Sequence, residues 1–208
     1  MEGTAGAAGR AASATSHPNE RQRDLTMIEF PPIPSWDALH PLVIHFPVAL
    51  LLVAPLFVII GALVAGHRGR AFSVTALVLM GLGTAGTYLA MSTGQAAGQL
   101  AERSPAVSAI LQHHQELAEA TRVVFSVLTL IFASILFVPR FFKRDLGPGM
   151  VMVLIVIFLA GYGAGSVLLA NTAHNGGRLV HELGVRAVMS PQPLPDTERA
   201  RFERHDNH

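Results

Sequence analysis

From Pro41 to Gly66 the chain reads PLVIHFPVALLLVAPLFVIIGALVAG, without a single Asp, Glu, Lys or Arg. A helix of that length rises about 39 Å, enough to cross a hydrocarbon core of roughly 30 Å. His40-Pro41 is a natural start, because proline lacks the N–H that a first helical turn leaves unpaired. Pro47 is still near that end. Pro55 lies inside and is expected to kink the helix, which packed neighbours in a membrane can accommodate.

Three further apolar segments follow, from Ala71 to about Met91, from about Thr121 to Val138, and from Gly149 to about Ala170. Two tight turns, His67-Arg68-Gly69-Arg70 and Pro139-Arg140-Phe141-Phe142-Lys143-Arg144-Asp145, make helices one and two antiparallel neighbours, and likewise three and four. The expected fold is an all-α integral membrane protein, a four-transmembrane-helix bundle over residues 36–189 with flexible polar tails at 1–35 and 190–208. Gly81, Gly83 and Gly86, and the Gly161/Gly165 pair, read as faces for close helix contact. Ser92 to Glu119 reads as a long polar middle region with a short helix starting at Ser104-Pro105. After Asn171 the chain turns polar, and Gly176-Gly177 is expected to make a tight turn.

Composition agrees. Half of the 208 residues are hydrophobic and 14% are charged, whereas soluble domains carry about a quarter charged; mean hydropathy is +0.43. A net charge of +1, with no long basic run and no zinc-finger spacing, sets nucleic acid aside. The absence of cysteine excludes disulfides, thiolate ligands and iron–sulfur clusters. The N-terminus lacks the apolar core of a cleaved signal peptide. Trp36, in a proline-broken and partly apolar stretch, suits a membrane-interface anchor.

Orientation follows from the two short turns, which hold Arg68, Arg70, Arg140, Lys143 and Arg144 against Asp145. The positive-inside rule puts them in the cytoplasm of a bacterial inner membrane, so both termini and the middle region face the periplasm or exterior. The other ten of the fifteen Lys and Arg residues oppose this, but they lie in tails or among acidic residues.

Alternation of the crossings then gathers six histidines on that outer face. His40 and His45 open helix one, His113 and His114 precede helix three, and His174 and His181 follow helix four. His45 carries most weight, since an ionisable side chain a turn inside a membrane helix should face protein or a cavity. Neutral imidazole could bind haem or a metal, relay protons, or hydrogen-bond to a neighbouring helix. A bis-histidine haem b needs imidazoles from two elements, which His45 with His113, His114 or His174 would supply. His113-x-x-Glu116, and His114 with Glu119 or Glu182, offer a mixed nitrogen–oxygen site for zinc, iron or copper, and His45, His114 and His174 are the candidate metal ligands. Arg122 and Arg178 are expected to pair with Glu119 and Glu182.

Leu39-His40-Pro41-Leu42-Val43-Ile44-His45-Phe46-Pro47 and His174-Asn175-Gly176-Gly177-Arg178-Leu179-Val180, continued by His181-Glu182-Leu183-Gly184-Val185, resemble the bacterial membrane family named domain of unknown function 2231. The resemblance covers about residues 36–189. It implies a small cytochrome-like membrane subunit with end-clustered histidines, in a family where tyrosine often stands at the position of His181. Relatives occur beside c-type cytochrome modules; this chain has no Cys-x-x-Cys-His for covalent haem.

The leading expectation is an accessory or electron-transfer membrane subunit holding non-covalent haem b, without independent catalysis. Membrane lipids surround it, and other membrane-protein helices, a cytochrome or a quinone are its candidate partners. Two alternatives stand beside it: a structural assembly or anchoring protein without cofactor, and a metal-dependent membrane enzyme using His113, His114, Glu116, Glu119, His174 and His181.

Overall fold

A computed structural model describes residues 35, 36, 38–64, 66–101, 104–142 and 147–185. Nearly all of the two expected tails lies outside these residues. The described chain is helical throughout: α1 (His40–Val43), α2 (His45–Leu63), α3 (Gly66–Leu100), α4 (Pro105–Phe141) and α5 (Pro148–His181). Four stretches are long and apolar enough to cross a membrane, His40–Leu63, Gly66–Leu100, Pro105–Pro139 and Pro148–His181. The protein is an all-α, four-span membrane bundle.

Proline explains the division of the first span. Pro47 has no N–H to offer the Val43 carbonyl, and α1 gives way to α2 at Ile44, three residues earlier. The helix continues through Pro55. That residue leaves the Leu51 carbonyl without its i+4 donor, and the buried Tyr162 hydroxyl of α5 donates to it instead at 2.7 Å. One long-range hydrogen bond thus repairs a helix at its proline and ties α5 to α2.

Three regions expected as turns or loops are helix, and α4 also runs on through Pro139 to Phe141, the first residues of the expected second turn. His67 to Arg70 belong to the first turns of α3, and the chain reverses just before them, where Val64 is extended and Gly66 takes φ +71°. Within the described residues, the middle region is the end of α3 and the beginning of α4, with Ser104 Oγ accepting the Val107 N–H at 3.2 Å as an N-cap. α5 runs straight through Gly176-Gly177 to His181 and closes at Gly184, φ +65°, with the Val185 N–H returning to the Leu179 carbonyl at 2.9 Å. The physical reason is common to the last two. Polarity there marks where a helix leaves the hydrocarbon, and not where it ends. With 35, 37 and 34 residues, α3, α4 and α5 are each about 50–55 Å long.

The helices pack in a ring, α2 on α3, α3 on α4, α4 on α5, and α5 back on α2, with α1 against α2 and α3. Aromatic rings fill the middle. Phe125 meets Tyr162 edge-on at 5.3 Å, Phe132 stacks on Phe158 at 5.0 Å, and Phe158 lies 5.7 Å from Tyr162. Hydroxyl pairs bridge neighbours, Thr84 with Thr129 at 2.9 Å and Thr121 with Thr172 at 2.8 Å. Gly165 lets α5 approach α4: a Cβ there would stand 3.1 Å from Leu128 and 3.2 Å from Val124.

Candidate functional site

Past Thr87 and Thr121, toward the end where the first span begins and α5 stops, the bundle stops being filled. A cavity of about 400 Å³ opens between the start of the first span, the end of α3, the first turns of α4 and the end of α5. Small-molecule sites usually enclose roughly 300–1,000 Å³. The apolar run of α4 begins near Thr121 and that of α3 ends near Met91, so the cavity lies where the apolar runs give way to more polar sequence.

Three of the six histidines line it: His40, His114 and His181. His45, His113 and His174 do not, and all three are exposed. His45 turns its Nδ1 back to the carbonyl of Pro41 at 2.6 Å, within its own turn. Five residues separate it from His40, about 140° around a helix, and of the two it is His40 that lines the cavity.

His40 and His114 are held alike. Each half-buried ring lies against a glycine of the next helix: a Cβ at Gly94 of α3 would stand 2.8 Å from His40 Cε1, and one at Gly176 of α5 would stand 3.1 Å from His114 Cε1. Each ring is also anchored through Nδ1. His114 Nδ1 lies 3.0 Å from the carbonyl oxygen of Thr172, which can only accept, so Nδ1 carries the proton. The Thr93 hydroxyl has one proton and directs it to the Leu89 and Ala90 carbonyls at 3.0 and 3.1 Å, so it accepts from His40 Nδ1 at 3.2 Å. As neutral imidazoles both rings are Nδ1–H tautomers. What each has left for a ligand is the lone pair of Nε2.

The rest of the lining is apolar or uncharged. Gln95, Gln115, Thr87, Thr121 and Thr172 add neutral polar groups, and no Asp, Glu, Lys or Arg is among the described residues that face the cavity. The carboxylates of the sequence-based metal reading are engaged elsewhere: Glu119 pairs with Arg122 at 3.3 Å, Glu182 with Arg178 at 2.9 Å, and Glu116 accepts from Gln112 at 3.0 Å. Among the described residues no three His, Cys, Asp or Glu side chains come together to hold a metal ion.

Residues 36–189 match the model of the family described as Predicted membrane protein (DUF2231). The chain belongs to that bacterial family. No curated protein and no solved structure matches it. In this DUF2231 protein the cavity is therefore the guide to function. Thr93, Gly94, Thr172 and Gly176, which hold the two rings, escape a reading by residue type, because none is a chemical group of interest by itself. The signal for them is helical phase. Thr87, Ala90, Gly94, Ala97 and Ala101 recur at steps of three and four, so one small-sided face of α3 runs on beyond its apolar segment.

Proposed function

We propose that the protein is a membrane accessory subunit for electron transfer, and that its cavity carries a non-covalent, redox-active group between His40 and His114. The observation that supports this is the matched pair of imidazoles, from two different helices, each fastened through Nδ1 and each keeping Nε2 for a ligand. Ligating histidines are commonly held in this way, the distal N–H bonded to a carbonyl or hydroxyl so that ring and tautomer are fixed. A purely structural bundle gains nothing from an open space of about 400 Å³, since van der Waals packing is a main source of helix association in lipid.

Haem b meets this site halfway. Two Nε2 lone pairs are what its iron would take, but its propionates are anionic and the described lining offers them no cation. A neutral group is the better match. The basic turns after the first and third spans favour placing the cavity at the periplasmic face.

The test is to purify the full chain from a haem- and quinone-replete bacterial host and to identify any bound group by visible and ultraviolet absorption and by extraction. His40→Ala and His114→Ala are expected to lower its occupancy tenfold or more, while His45→Ala leaves it unchanged. Equal occupancy in all three variants would sink the reading.

A further inference from the structure

We infer that the group in this cavity is a quinol dissolved in the bilayer, bound in preference to the corresponding quinone; this rests on the cavity being the functional site. The inference starts from the hydrogen-bonding character left over at the two rings. With both Nδ1 protons committed to Thr93 and to the Thr172 carbonyl, His40 and His114 present acceptors to a ligand. A quinone carries carbonyl acceptors and would leave both Nε2 atoms unpaired. A quinol carries two O–H donors at opposite ends of one ring, and can satisfy acceptors that come from two different helices.

Charge and position narrow the class in the same direction. Among the described residues the lining holds no Lys or Arg to offset the desolvation of an anion, and this favours an uncharged ligand. The apolar walls suit an aromatic ring. The cavity lies where the apolar runs give way to polar sequence, and every α-carbon of α1 is more than 8 Å from those of α5. Pro41 and Ile44 of the first span and Val180 of α5 are apolar residues of the cavity lining. A molecule with an apolar tail could place its head in the cavity and lay the tail along these apolar residues.

The measurement is a pair of titrations on the full-length protein in phospholipid nanodiscs, with decylubiquinol and decylubiquinone as probes. They share ring substituents and tail and differ in the two O–H groups. The quinol is expected to bind about tenfold tighter or more, the scale of hydrogen bonds made against acceptors left unpaired. His114→Phe, which keeps an aromatic ring and removes the acceptor, is expected to bring the ratio down toward one. The ratio in the unmodified protein needs no variant, so misfolding of His114→Phe cannot rescue the inference. Equal or tighter binding of the quinone overturns it, as does failure of the quinol to bind. If the quinol fails while another redox group is held in a His40- and His114-dependent way, this inference falls and the electron-transfer reading stands. If no group is held at all, both fall.

Discussion

Between the basic turns and Thr84, the four spans are filled by Phe125, Phe132, Phe158 and Tyr162, with ring centroids 5.0 to 5.7 Å apart. Between Thr87 and the other end, the same helices carry Ala90, Gly94, Ala118 and Gly176 and leave about 400 Å³ open. Both halves belong to the same helices and share the same neighbours. What differs is side-chain volume, and the division of labour follows from it. The filled half sets helix spacing, and the hollow half uses that spacing to hold two imidazoles at the wall of an open space. In lipid, where apolar surface gains little by leaving its surroundings, a filled half is what makes a hollow half tolerable.

The largest effect that should separate the halves is Phe132→Ala. Its ring is wholly buried and stacked on Phe158, and emptying such a site costs about 3–5 kcal/mol. Reversible unfolding in mixed detergent micelles should show that loss, while ligand binding per folded molecule stays as it was. A binding defect at full folding would mean that the two halves are coupled rather than separate. In the hollow half, Gly176→Leu pushes a side chain against the His114 ring, already within 3.1 Å of where Cβ would be. Overpacking of this kind costs about 1–3 kcal/mol. Here the cost should fall on ligand affinity, read by titration, with the unfolding midpoint little changed.

The filled half is the legible one in the sequence. Four uninterrupted apolar runs and two basic turns state the number of crossings and their antiparallel order, because the bilayer imposes length and charge rules on a sequence directly. The hollow half is legible only in part. Grouping the histidines on one face needs nothing beyond alternation, and it places His40, His114 and His181 together. Rotation about each helix is what it leaves out, and rotation separates His40 from His45. Continuation of α3, α4 and α5 past the membrane border is hidden for another reason. Loss of hydropathy and loss of helix look alike when only composition is read, although Gln, Glu, Ala and Leu between Ala106 and Ala120 are good helix formers. The expected pairs Arg122 with Glu119 and Arg178 with Glu182 are present, since three- and four-residue spacing on a helix suffices to bring them together.

The smallest of the expected effects tests how the filled half is wired. Tyr162 donates to the Leu51 carbonyl at 2.7 Å, the carbonyl that Pro55 leaves without a helical partner. Tyr162→Phe keeps the ring between Phe125 and Phe158 and removes the donor, at a cost of about 1–2 kcal/mol for an acceptor left buried and unpaired. In a Pro55→Ala background, residue 55 regains an N–H, and Leu51 recovers its own i+4 bond. The same Tyr162→Phe change should then cost only a few tenths of a kcal/mol, so the two substitutions should be strongly non-additive in unfolding free energy. Additivity would mean that the hydroxyl does not compensate the proline, and that α5 is fixed on α2 by ring packing alone. Non-additivity would place a proline repair inside the filled half, where a neighbouring helix is close enough to supply the missing donor. It would also show why the first span carries Pro55 without a break, while Pro47, beside the open space, follows the point at which that span divides.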